Sequence, residues 1–202
     1  MKYLLLPFAL LFWSYVYSQS PDSITIKVNW GVESKELQDL YRFENVDYFT
    51  IHTQGEIVKG KHYKVIVKEY WNNKLAGTDT VVDTKRRSMP LTTNELTFRL
   101  MSRKTESDSV KLMCLFPNFQ IARKYKTTTS NTYSLRDASN GKAISHQVNK
   151  PITLFAYSLP YKDPKQPGWL LYCELSREGI PPEKWGEKFG IEHYITMDLT
   201  FE

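Results

Sequence analysis

The stretch that decides the fold is Ile191-Glu-His-Tyr-Ile-Thr-Met-Asp-Leu-Thr-Phe-Glu202. Ile191, His193, Ile195, Met197, Leu199 and Phe201 fall on one face; Glu192, Tyr194, Thr196, Asp198, Thr200 and Glu202 fall on the other. Unbroken alternation of this kind is the signature of a strand with one buried face. His193 therefore points with the apolar set and Glu192 away from it, so the adjacent pair makes no acid–base dyad. His193 reads as a buried, hydrogen-bonded scaffold residue.

Immediately upstream, Pro182–Phe189 is expected to form a short helix, with Pro in its first turn and Gly190 just past its end. Trp185 and Phe189 are four apart and share one side, as anchors onto a sheet. Glu183 and Glu187 share another side, beside Lys184 and Lys188, as a solvated face. Gly186 weakens such a helix by about 1 kcal/mol, so packing must hold it.

Outward from there, strand-like alternation recurs over Ile24–Trp30, Asp47–His52, Tyr63–Trp71, Glu95–Arg103, Ser109–Phe116, Phe119–Lys126, Ile152–Leu159 and Trp169–Ser176. Asn72-Asn73 and Thr105–Asp108 read as hairpin turns. Thirteen Tyr and ten Phe suit pleated, half-buried surfaces. Ser34–Phe43, capped by Ser34, is the second helix candidate. Strands without long intervening helices predict an all-β fold: an antiparallel two-sheet sandwich with one or two short helices. The polar run Thr127–Lys150 is long for a compact domain and is expected to be a functional loop or flap.

The first twenty residues, MKYLLLPFALLFWSYVYSQS, place Lys2 before a mostly apolar segment. That segment falls short of the roughly 20 residues a spanning helix needs. With Val16 and Ser18 it reads as a signal peptide over residues 1–18. Residues 19–202 then form a single sandwich domain, with a division near 85–93 left open. The expected location is extracytoplasmic: periplasmic, cell-surface or secreted. No transmembrane segment is expected in the mature chain. Cys114 and Cys173 sit on strand-like segments; a disulfide between them and two separate buried thiols both fit.

The formal charge is +5, an excess that favours acidic partners such as anionic glycans or lipid head groups. It falls short of a nucleic-acid signature, which needs clustered basic residues on one face. The tight cluster Lys85-Arg86-Arg87 reads as a solvated loop.

Catalytic spacing is sparse. His52, His62, His146 and His193 show no metal-ligand spacing. Neither a phosphate loop nor a nucleophile elbow is present, and no cofactor is implied. Ser139-Asn140-Gly141-Lys142 matches S-x-x-K, but Asn-Gly prefers a tight turn over the helical turn that motif needs. Glu69 sits on an otherwise apolar face, where a strand end reaching solvent is the simple explanation. Ile152–Leu159 and Trp169–Ser176 are apolar on both faces. Either the short helices or the 127–150 run cover the second face, or Phe155, Tyr157 and Tyr172 form a ligand-binding aromatic surface.

The leader ending in VYSQS, the tyrosine-rich all-β pattern and the segments WLLYCELS and PPEKWGEKFGIEHYITMDL together resemble uncharacterised secreted families of Bacteroides-type bacteria. That resemblance implies an exported bacterial protein and carries no catalytic residues. The expected function is a non-catalytic binding module for glycan or protein partners. Two alternatives remain. One is a small hydrolase with a loop-assembled site using Glu69, Glu174 or His193. The other is an assembly subunit whose Ile191–Glu202 strand pairs with a partner.

Overall fold

The computed structural model describes residues 23–138, 144–162, 166, 168–172 and 180–202. The leader over 1–18, the Ser139–Lys142 motif, Cys173 and Glu174 lie outside the described residues. In chain order the elements are β1 (Ile24–Trp30), α1 (Lys35–Phe43), β2 (Val46–Gln54), β3 (Tyr63–Trp71), β4 (Lys74–Asp83), β5 (Glu95–Glu106), β6 (Ser109–Leu115) and β7 (Gln120–Lys126). They continue as β8 (Ser134–Asp137), β9 (Ile144–His146), β10 (Ile152–Ser158), β11 (Tyr161–Lys162), β12 (Leu170–Leu171), α2 (Trp185–Phe189) and β13 (His193–Phe201).

The fold is an antiparallel sandwich. A six-stranded sheet, β7-β6-β5-β2-β1-β9, faces a five-stranded one, β4-β3-β13-β10-β8. The inward residues of both build one core, which includes Ile26, Ile51, Phe98, Leu100 and Leu112 from the first sheet and Val65, Val67, Ile195, Met197 and Leu199 from the second. The expected two-sheet architecture and its two short helices are both present.

Local chemistry explains the connections. Asn72 and Asn73 both take positive φ, 47° and 67°, the geometry of a tight hairpin turn matching strand twist. Ser34 caps α1 by accepting the Leu37 amide at 3.2 Å. Gly186 lies under Asn73: a Cβ there would run into the Asn73 side chain and sit 3.2 Å from the Ile191 carbonyl oxygen. Close packing against the hairpin turn thus accounts for a glycine inside α2.

Three expectations change. The 127–150 run contributes β8 and β9, which extend the five- and six-stranded sheets respectively. Of the strand expected over Trp169–Ser176, only Leu170–Leu171 pairs, with β11; residues 173–176 lie outside the described residues. The Ile191–Glu202 strand does not offer itself to a partner. β13 lies between β3 and β10, both of its edges hydrogen-bonded, so it has no free edge to add to.

Candidate functional site

The strand registers bring the start of β2, the β5–β6 hairpin, the end of β7, the ends of β3 and β10 and the start of β13 to one end of the sandwich. There a cleft of about 640 Å³ opens, lined by Asp47, Ser102, Arg103, Lys104, Asn131, Tyr133 and Tyr157 among others. Its wall is built by the segment entering β8. Lys104 donates to the carbonyls of Thr128 and Ser130, and its ammonium lies 5.7 Å from the Tyr133 ring centre. Burial lowers the Lys104 pKa, against the opposing effect of the Asp108 carboxylate.

Asp47 lies at the base. It accepts from the Ser102 hydroxyl at 2.9 Å and from the Leu135 amide at 3.0 Å. Burial raises its pKa, an effect only partly offset by those two donors and by Arg136. Asp47 thus ties β8 to the β2–β5 pair. The other carboxylates of the lining are also engaged: Glu44 pairs with Arg103 at 2.9 Å, and Glu106 with Lys124.

Tyr133 connects the cleft to the interior. Its hydroxyl receives the Thr128 amide at 3.2 Å and lies 2.6 Å from Nδ1 of His193. The ring stacks on Tyr157, centres 5.1 Å apart and planes within 8°. His193 is 0% exposed. Its Nε2 lies 3.5 Å from Oε1 of Glu69, and that oxygen also accepts the Trp71 indole N–H at 2.5 Å. The partners fix the ring's orientation: Nδ1 faces the Tyr133 hydroxyl and Nε2 faces the Glu69 carboxylate. His193 and Trp71 hold Glu69 below the usual carboxylate range, against the opposing effect of burial. Burial pushes the Tyr133 hydroxyl up, so the chain ends on a protonated phenol.

The two polar residues on apolar faces, Glu69 and His193, are therefore each other's neighbours. Glu69 is more than a strand end reaching solvent: its partly exposed carboxylate faces the buried His193 ring. His193 is buried and hydrogen-bonded, as its place on the apolar face implies.

The aromatic surface needs correction. β10 carries a bulge between Thr153 and Phe155, and a bulge breaks the alternation of side chains. Leu154, Phe155 and Tyr157 all enter the inter-sheet core, while Ala156 joins the outer cluster. Phe155 is 0% exposed and packs on Phe49 at 5.1 Å; Tyr157 is 4% exposed beneath Tyr133. Neither forms an exposed platform, although Tyr157 lines the cleft. Tyr172 alone stays half-exposed, with the Arg136 guanidinium 4.4 Å from its ring centre and its hydroxyl donating to the Thr132 carbonyl. These contacts place it beside the segment that walls the cleft.

Cys114 is a buried free thiol in the core, its pKa pushed up to about 12 by burial. No group of three or more His, Cys, Asp or Glu side chains converges as metal ligands among the described residues. No helix among them is long and apolar enough to cross a membrane. No family model, curated protein or solved structure matches the chain.

Proposed function

We propose that the chain is a non-catalytic binding module, exported from the cytoplasm, that takes a glycan in the cleft at the β5–β6 hairpin end. The observation that carries this reading is a recess that brings the Asn131 amide and the edge of the Arg103 guanidinium beside the Tyr133 and Tyr157 rings. Polyhydroxylated ligands need such convergent donors and acceptors around aromatic surface. The carboxylates of the lining support binding over hydrolysis, because each already serves a structural partner.

Calorimetric titration of residues 19–202 against neutral and acidic polysaccharides tests the proposal. Saturable heat that falls at least about tenfold in affinity, roughly 1.4 kcal/mol, on Asn131→Ala supports it. Heats absent across the panel, or untouched by Asn131→Ala, set it aside.

A hydrolytic reading has one observation in its favour, the Tyr133–His193–Glu69 chain ending at the cleft. Release of reducing ends from any of these polymers, abolished by His193→Gln in a folded protein, would replace the binding reading.

A further inference from the structure

The outward face of the six-stranded sheet carries a row that a free-standing sheet has no reason to keep. Arg103 on β5 stands directly opposite Lys111 on β6, and Lys111 directly opposite Lys124 on β7. All three are exposed. Like charges facing each other across strands destabilise a sheet. Blocking edge pairing explains a lysine on β7, an edge strand. It does not explain Arg103 or Lys111, which sit on interior strands.

Neutralisation is incomplete. Glu44 pairs with Arg103 and Glu106 with Lys124, but among the described residues no ion pair engages Lys111. Arg99 and Lys27, exposed on the same face, have none either. Besides Glu44 and Glu106, Glu95 at the far end of β5 is an opposing charge on that face. Between Lys111 and Lys124 lies a shallow depression of about 270 Å³. The row also meets the cleft, because Arg103, Thr105 and Glu106 line it.

We propose that the glycan is an acidic polysaccharide, whose chain enters the cleft and continues across β5, β6 and β7 over Arg103, Lys111 and Lys124. The inference rests on the binding reading above and names its ligand class. A polymer carrying both hydroxyls and anionic groups can place hydroxyls in the recess, where Glu44, Asp47 and Glu106 stand beside Arg103 and Lys104, and its anionic groups on the row. A flat bilayer of anionic head groups meets the row but does not fill the recess.

The test measures binding of polygalacturonate, neutral dextran, anionic phosphatidylserine vesicles and duplex DNA at low and high salt. Four proteins are compared: the parent, Lys111→Glu, Arg87→Glu and Asn131→Ala. Arg87 is exposed near the opposite end of the sandwich, past the end of β4, and gives the same change in net charge. Lys111→Glu replaces two like-charge cross-strand pairs with opposite-charge ones, so lost binding is not lost folding.

The expected result is saturable polygalacturonate binding that weakens with salt and falls about tenfold or more with Lys111→Glu but under about threefold with Arg87→Glu, with dextran inert. Equal losses in both variants mean diffuse attraction to net charge and overturn the inference. Dextran binding that is sensitive to Asn131→Ala and indifferent to Lys111→Glu overturns it while the cleft reading stands. Vesicles or DNA outcompeting polygalacturonate assign the row to a lipid surface or a nucleic acid. Polysaccharides that all fail to bind defeat both.

Discussion

The two outer faces of this sandwich differ more than its two sheets do. On the five-stranded sheet, Tyr70, Ala156 and Tyr194 point outward into a dry cluster closed by Trp185, Ile191 and Tyr161, all buried. Tyr70 and Tyr194 stack with centres 4.7 Å apart. The covering segment is tied down by its polar tips: Tyr194 donates to the Pro182 carbonyl at 2.7 Å, and the Trp185 indole to Ile180 at 2.9 Å. On the six-stranded sheet, Lys27, Thr97, Arg99, Lys111 and Lys124 are exposed, and Met101, Met113 and Leu115 are half-buried between them. The pleat is the same. What differs is which residues occupy its outward rows, and hence whether water or protein covers them. One face is closed over by the C-terminal segment; the other is left largely exposed, with α1 packed on β2 through Tyr41 and Tyr48.

Truncations on the two faces should therefore differ sharply. Trp185→Ala removes a wholly packed anchor and should cost about 3–5 kcal/mol, read as a lower urea midpoint. A loss under about 1 kcal/mol would show that the C-terminal cover is dispensable and would erase the contrast. Met113→Ala, its counterpart on the wet face, should cost no more than about 1 kcal/mol, because the side chain is half-solvated from the start.

Glu69 lies where the core gives way to solvent. Its folded pKa is depressed below the usual 4.5, so its contribution is present above that value and lost as pH falls through the folded pKa. Melting temperature should fall on acidification below about pH 4.5, and Glu69→Gln should flatten that fall by a modest amount, since the group is partly solvated. Identical acid profiles for parent and variant would remove Glu69 from the Tyr133–His193–Glu69 chain. The smallest effect belongs to Lys111→Gln. Stability should shift by no more than about 0.5 kcal/mol and toward greater stability, because one member of a like-charge row is gone.

Much of this was legible in the residues, and the remainder was hidden for physical reasons. β13 announced itself because twelve residues alternate without exception. Ile152–Leu159 and Trp169–Ser176 were legible as a two-sided apolar problem; β10 is buried on both faces, whereas Trp169 and Leu170 stay exposed. The Leu154 bulge left no mark, since Leu-Phe in a strand reads equally as normal alternation; that is why Phe155 and Tyr157 were assigned to a surface. β8 and β9 are four and three residues long, too short for a period to show. Glu69 and His193 each appeared as a polar residue on an apolar face. Only the pairing of Trp71 with His193 across β3 and β13 makes them neighbours. The cleft had no signal at all, because registers between distant strands create it. Alternating Arg99, Met101 and Arg103 against Lys111, Met113 and Leu115 was visible strand by strand, but not as a cationic row.

The position of β13 sets the order of events during folding. β3 and β10 do not pair with each other; each pairs with β13, over nine and six residue pairs respectively. Until residues 193–201 are available, both strands present apolar, hydrogen-bond-hungry edges with no native partner. The five-stranded sheet must close late, through contacts spanning more than a hundred residues between β3 and β13, a topology that folds slowly. In a nascent chain the five-stranded sheet stays incomplete until residues 193–201 have emerged, and until then the open edges of β3 and β10 are where misassociation would start.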